Sequence, residues 1–344
     1  MSPIFFLTLY LLSFTSSVLS TKDDEVVLLK IKKQLGNPDG LRWWVIGFDY
    51  CDALANVALE NSYITCTSTG RVRSLTLQNL VITTSFPKAI CGLTEIQDLY
   101  LDHNPGFHGP IPSCITKLPN LRLLIITGTS LSGSVPSFYN HANIIGINLA
   151  RNQLSGTIPR SLSTCPNLNG LELSSNYLTG TVPPGLVHGS RPSLVLNNNN
   201  LTGEIPESYG SVDFQLIVVG NNQLIGDVPF LFGKQKNTVN IELNNNDFEF
   251  DLSQVEFSDF IYGFDLSHNK IYGKVPESFA KAAGLFFPNL SFNKLCGELP
   301  EGDNMGRFDA AVFSDNACLC GYPLLPCSVS PPAPAPAPVS GPPF

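Results

Sequence analysis

From Ile96 onward the chain repeats one spacing of apolar and polar residues, L-x-x-L-x-L-x-x-N-x-L-x-G-x-[IVL]-P. LNGLELSSNYLTGTVP (168–183), IIGINLARNQLSGTIP (144–159) and IYGFDLSHNKIYGKVP (261–276) are three copies of it. Its asparagines are Asn104, Asn152, Asn176, Asn199, Asn222, Asn246, Asn269 and Asn293, with Thr129 between the first two, so the step is 23 to 25 residues. A step of that size over most of the chain predicts about ten copies of one supersecondary unit rather than two ordinary domains.

Each unit reads as a short strand, a turn and a return segment. In Leu171-Glu172-Leu173 the leucines point inward and Glu172 outward, as strand alternation requires. One unit cannot bury its leucines alone, so the units must stack, pairing their strands into a parallel sheet along one edge. The asparagine after each strand has a scaffold role: its amide offers both donors and an acceptor to backbone groups that the inner turn removes from water. The glycine and proline of the return segment suit a tight backbone turn.

The ends of such a stack need caps. At the N-terminus Val26, Val27, Leu28, Ile31 and Leu35 have helical spacing, Thr21 and Asp24 are placed as a capping box, and Gly36 is placed to end the helix. Residues 1–20 hold an apolar core and a small-residue end, the layout of a cleaved signal peptide, and no later stretch is apolar enough to span a membrane. The expected organisation is signal peptide 1–20, N-terminal cap 21–70, repeats 71–295, cysteine cap 296–327 and a proline-rich tail 328–344.

Secretion makes disulfides the expectation for the nine cysteines. Cys318-Leu319-Cys320 lacks the C-x₂-C spacing of zinc sites and has no histidine nearby, so no metal is expected. Cys165 falls at an inward leucine register and reads as a core thiol. Cys91 and Cys114 lie on neighbouring repeats and can bond only if their Cα atoms come within about 7 Å. The net charge of −8 offers no basic face for nucleic acid or anionic lipid.

Function then falls to the outward strand positions. These are Arg73, Thr76 and Gln78; Asp98, Tyr100, Asp102 and His103; Arg122, Ile125 and Thr127; Asn148 and Arg151; Glu172 and Ser174; Val195 and Asn197; Val218; Glu242 and Asn244. Tyr262, Asp265 and His268, then Phe286, Phe287 and Phe292, complete the strip. Strands about 4.8 Å apart over ten repeats give it a length of roughly 45 to 50 Å, enough for a protein partner. Five acids, three arginines and aromatic residues at both ends are a mixture suited to recognition. Catalysis is not indicated: Asp102 and His103 are adjacent, so in a continuous strand they face opposite ways, and no nucleophile accompanies them. Asn200-Leu201-Thr202 and Asn289-Leu290-Ser291 are N-glycosylation sequons, and Asn289 projects from a late strand.

The L-x-G-x-[IV]-P half-repeat is the plant extracellular subtype of leucine-rich repeat, and three stretches resemble one family within it, the plant polygalacturonase-inhibiting proteins. They are LLKIKKQLGNPDGL (28–41), FDLSQVEFSDFIYGFDLSHNKIYGKVP (250–276) and NLSFNKLCGELPEGDNMGRFDAAVFSDNACLCGYPLLPC (289–327). The resemblance implies an α/β repeat, a right-handed leucine-rich-repeat solenoid of about ten plant-type repeats with a parallel concave sheet and disulfide caps. It implies the pairs Cys51–Cys66, Cys296–Cys318 and Cys320–Cys327. It also implies a cofactor-free wall protein that holds a microbial polygalacturonase on its concave face and obstructs the enzyme's cleft, with pectin as a second candidate ligand.

The chain departs from that family in two places. The cap lacks two cysteines that the family bonds to each other: Thr21 to Asp24 contains none, Tyr50 stands beside Cys51, and ALANVALENSYITC (53–66) replaces a tryptophan-glycine-valine segment. On the face, Asn148 and Ser174 stand where the family commonly carries aspartates, and Glu172 is the candidate replacement for their charge. Two rival readings are a developmental or defence partner-binding relative without inhibitory activity, and a binder of ice or wall polysaccharide through dense asparagines such as Asn197 to Asn200, Asn221-Asn222 and Asn244 to Asn246.

Overall fold

The computed structural model describes residues 21–52, 61–302 and 304–327; the expected signal peptide, the proline-rich tail and the cap stretch 53–60 lie outside it. Among the described residues no helix is long and apolar enough to cross a membrane. The chain forms a right-handed leucine-rich-repeat solenoid whose main sheet has eleven strands in sequence order. Ser62–Cys66 pairs antiparallel with Val72–Gln78, and from there every pairing is parallel, through Asp98–Asp102, Leu123–Thr127, Gly146–Asn148, Gly170–Glu172, Ser193–Val195, Leu216–Val218, Asn240–Glu242, Gly263–Asp265 and Phe287–Asn289. The return segments add an eight-stranded lateral sheet and a three-stranded one that ends at Cys318–Cys320. Short 3₁₀ turns such as Lys88–Gly92, Ser113–Lys117 and Arg160–Thr164 close the opposite side.

The core is one continuous column. Leucines and isoleucines of the strands, among them Leu99, Leu101, Leu124, Leu171, Leu194 and Ile241, are almost wholly buried. Towards the C-terminus phenylalanines take over: Phe257 stacks on Phe264 at 5.0 Å between ring centroids, and Phe279 meets Phe257, Phe308 and Phe313 edge-on.

Beside this column runs the asparagine ladder. Asn176 shows the pattern: its Nδ2 donates to the carbonyls of Leu149, Leu173 and Ser174 at 2.9, 3.1 and 3.2 Å, and its Oδ1 accepts from the Leu154 N–H at 3.0 Å. One side chain therefore satisfies backbone groups of two successive repeats. Asn316, which the repeat template does not reach, forms the last rung with the carbonyls of Leu290, Phe313 and Ser314. At Thr129 the hydroxyl instead donates to Asn152 Oδ1 and accepts from the Leu131 N–H.

The residue before each rung is left-handed. His103, Arg151, Ser175, Asn198, Asn221, Asn245, His268, Phe292 and Asp315 all have φ between 51° and 56°, and Gly128 takes the same place before Thr129. Asparagine and aspartate tolerate this region best. Arg151, His268 and Phe292 hold it because the ladder fixes the turn around them.

The N-terminal cap differs from the capping-box expectation. The helix Lys22–Gln34 starts at Thr21, but no side chain caps it, and the buried Thr21 hydroxyl has no partner. Asp24 is instead buried at 1 % exposure and turned onto the first repeat, where its carboxylate accepts from Arg71 Nε and Nη2 at 3.0 and 2.9 Å and from the Val72 N–H at 2.7 Å. Tyr50, at the site of the absent family cysteine, is fully buried edge-on to Trp44 and Phe48. Aromatic packing thus fills the place of a covalent bond.

Four disulfides join Cys51–Cys66, Cys91–Cys114, Cys296–Cys318 and Cys320–Cys327, while Cys165 is a buried free thiol. The Cα atoms of Cys91 and Cys114 are 6.0 Å apart because they occupy successive turns of the stacked 3₁₀ layer, and this bond ties the first two such turns together.

Two unfolding measurements test these supports. Asn176→Ala leaves the Leu154 N–H without its acceptor and takes one of two donors from each of three carbonyls, and is expected to lower the free energy of unfolding by about 2 kcal/mol. Asp24→Ala strands Arg71 and the Val72 N–H, and is expected to cost about 3 kcal/mol in urea unfolding; a loss below about 0.5 kcal/mol would show that the cap is held without it.

Candidate binding face

Parallel register places outward side chains in straight rows. One runs Asp98, Leu123, Gly146, Gly170, Ser193, Leu216, Asn240, Gly263, Phe287; the next runs Tyr100, Ile125, Asn148, Glu172, Val195, Val218, Glu242, Asp265, Asn289. The left-handed residues from His103 to Phe292 form a further row along one rim, because each follows the end of its strand by one to three residues and turns the chain. Alternation alone assigns His103 and Arg151 outward positions without showing why they hold them.

The sheet is concave: residues from Asp102 to Glu242, across seven strands, line a single hollow of about 580 Å³. Of the expected contact residues it gathers Asp102, His103, Thr127, Asn148, Arg151, Glu172, Ser174, Val195, Asn197, Val218 and Glu242. Ile125 borders a second hollow, whereas Asp98, Tyr100 and Arg122 lie outside both, towards the N-terminus. Gly128, Ala150, Ser175 and Asn198 also line the main hollow. Most of these belong to the left-handed rim, which strand periodicity does not mark.

Glu172 is the fixed point of the hollow. Asn148 Nδ2 donates to its Oε2 at 2.6 Å and Ser174 Oγ donates to its Oε1 at 3.2 Å. The two positions that lack the expected aspartates therefore carry neutral donors that aim one carboxylate. Ser174 and Val218 differ from the simple outward reading: at 8 and 6 % exposure they are the floor rather than the contact surface. The Ser174 hydroxyl is occupied by Glu172, and Val218 is screened by its neighbours in the row.

Asp102 and His103 meet, contrary to strict alternation. The strand ends at Asp102, and the left-handed turn at His103 brings its Nδ1 to 2.7 Å from Asp102 Oδ2. The Thr127 hydroxyl donates to the other carboxylate oxygen. Burial works against the charge, but these bonds outweigh it and hold the Asp102 carboxyl below its ordinary value. Burial beside Asp98 pushes the Tyr100 phenol up.

Next to Glu172 the first row contains two adjacent glycines. Gly146 and Gly170 open a slot of about 330 Å³ walled by Ile125, Ile147, Leu171, Val195 and Leu216. At Gly146 a Cβ would come within 2.9 Å of Leu123, but at Gly170 it would meet nothing within 4 Å, and φ there is not positive. The fold does not require glycine at Gly170.

The sequons part company. Asn200 is exposed at the start of the lateral strand Asn200–Glu204, away from the hollow. Asn289 is half-buried on the concave sheet, and its Oδ1 accepts from the N–H and hydroxyl of Ser291.

The fold is that of a leucine-rich-repeat solenoid, and the Leucine Rich Repeat family matches residues 143–165 and 193–212. Polygalacturonase inhibitor 2 of Arabidopsis thaliana is 40 % identical over 94 % of this chain and 98 % of its own length. The chain belongs to the polygalacturonase-inhibitor family. Leucine-rich repeat protein FLOR 1 of Arabidopsis thaliana is 38 % identical over 94 % of this chain and 98 % of its own. The crystal structure of a plant ice-binding protein superposes with a TM-score of 0.82 at 35 % identity, covering 91 % of this chain and 99 % of that one.

The hydrogen bonds on Asp102 make a checkable statement. Its depressed value contributes stability that is present above the unfolded carboxyl value and is lost as pH falls through the folded one. Thr127→Val is expected to raise the Asp102 midpoint in a carboxyl-detected NMR titration; an unchanged midpoint would remove Thr127 as a cause.

Proposed function

We propose that this chain is a secreted inhibitor that binds a microbial polygalacturonase on its concave face and obstructs it by stoichiometric contact. The observation that carries the reading is Glu172, aimed by Asn148 and Ser174 beside an apolar slot, in a chain 40 % identical to a polygalacturonase inhibitor over nearly its whole length. A fixed carboxylate next to an apolar opening suits a basic group and an apolar side chain of one partner. The signal-peptide layout of residues 1–20 and the four disulfides support secretion to the cell wall, where such an enzyme acts. Pectin remains a secondary candidate, disfavoured by the acids of the hollow.

A second reading has its own support. The ice-binding neighbour shares 35 % identity. The lateral sheet here sets Thr157, Thr179 and Asn200 side by side in register, a short polar row on paired strands. An ice-recrystallisation assay on the same preparation separates the two.

The test is inhibition of a panel of fungal polygalacturonases. Gly170→Leu fills the slot where a side chain meets no neighbour, so its melting temperature is expected to equal or exceed that of the parent, while inhibition weakens about tenfold or more. Glu172→Gln is expected to weaken it about fivefold. Absence of inhibition across diverse enzymes, or full inhibition by Gly170→Leu, would overturn the proposal.

A further inference from the structure

At the C-terminal end of the concave sheet lies a recess of about 470 Å³ that the inhibitory reading does not use. Gly263 keeps it open: a Cβ there would stand 3.2 Å from Phe287 Cβ and 3.1 Å from the Phe287 carbonyl oxygen. Glu242 and Asp265 lie side by side in register on adjacent strands at its floor, and Asp309 stands at its edge. Among the described residues neither Glu242 nor Asp265 has an ion-pair partner. Although Glu242 reaches solvent, the walls of the hollow withdraw water from it, and this burial with the Asp265 charge pushes its carboxyl up.

The wall is aromatic. Phe286 and Phe287 are 52 and 63 % exposed, and Tyr262 beside them is 46 % exposed, its ring centroid 5.6 and 5.2 Å from theirs. Most of the described phenylalanines are buried in the core column, whereas these two, like Phe260 and Phe292, are exposed. Among the described residues the one cation bordering the recess, Arg307, already lays its guanidinium 5.4 Å from the Phe286 ring centroid. That contact shows the wall accepting the chemistry that the floor calls for.

We propose that this recess is a socket for an arginine side chain of a basic peptide segment, its guanidinium between Glu242 and Asp265 and its aliphatic stem along Phe287. The socket extends the protein-binding reading of the concave face, and Glu242 borders both this recess and the central hollow. The charges choose the occupant. Three carboxylates against one guanidinium repel an anionic polysaccharide, and a neutral sugar leaves Glu242 and Asp265 mutually repelled. A cation relieves that repulsion and gains the ring faces as well. Arginine fits better than lysine, because a planar fork can bond two carboxylates while stacking on a ring.

The experiment uses the full secreted chain and two acetylated, amidated heptapeptides, GSGRGSG and the same sequence with citrulline, the neutral isostere, in place of arginine. Binding is followed by calorimetry and by NMR shifts of the phenylalanine rings. The arginine peptide is expected to bind about tenfold more tightly than the citrulline peptide. Glu242→Gln and Phe287→Ala should each remove most of that preference, and Glu204→Gln, on the lateral strand Asn200–Glu204, should leave it intact. Equal binding of the two peptides, a preference unaffected by Glu242→Gln and Phe287→Ala, or occupation of the recess by neutral cellohexaose in place of the arginine peptide would overturn the socket. Preference for arginine in a chain that inhibits no polygalacturonase would support the socket and overturn only the enzyme partner. Inhibition without any arginine preference would do the reverse.

Discussion

The architecture depends on backbone amides and carbonyls that are turned inward after every strand and must find partners there. An unpaired buried group costs about 1–3 kcal/mol, and the stack would present several at every repeat. An asparagine amide at each rung answers the inner turn from both sides, donating within its own repeat and back to the previous one while accepting from the previous return segment. That demand also dictates the left-handed residue before each rung, and hence where every concave strand stops. The concave face is thus a consequence of how the interior is satisfied.

Because the strands stop in step, their outward side chains form rows that a partner meets as a nearly rigid surface. A substitution in a row changes chemistry without moving the backbone. Asn148 and Ser174 illustrate this: as neutral donors they add no charge of their own but fix where the Glu172 charge points. Where the family resemblance implies two aspartates, the face carries two neutral donors that orient Glu172 next to an apolar opening. Specificity in such a face lies in few side chains, which is why family membership and target choice are separate questions.

Much of this was legible in the sequence. The period, the rungs from Asn104 to Asn293 and the inward leucines follow from spacing alone. Asn316 escaped because its repeat reads FSDNACLCG, with phenylalanine and cysteine at leucine positions, though the N-x-C-x-C-G echo of N-x-L-x-G was a usable signal. The left-handed row was visible at Asn198, Asn221 and Asn245 but not at Arg151 or Phe292, whose conformation is imposed by tertiary bonds. Asp24 misled because a local cap and a distant ion pair with Arg71 ask for the same residue type, and the distant pair won. The meeting of Asp102 with His103, and the recess beside Phe287, depend on where strands end and on a missing side chain, which periodicity does not encode.

Thr129 has a wider consequence. Its hydroxyl cannot reproduce the three carbonyl bonds that an amide makes at Asn176, so the stack carries a seam between its N-terminal repeats and the rest. In a linear array, stability is the sum of unit and nearest-neighbour terms, so a rung with fewer bonds contributes less at its own junction. The Cys91–Cys114 bond lies on the N-terminal side of that seam and covalently clasps two turns there. The thinnest rung thus falls just after the turns that this disulfide clasps, while the core and the concave face run through it unbroken.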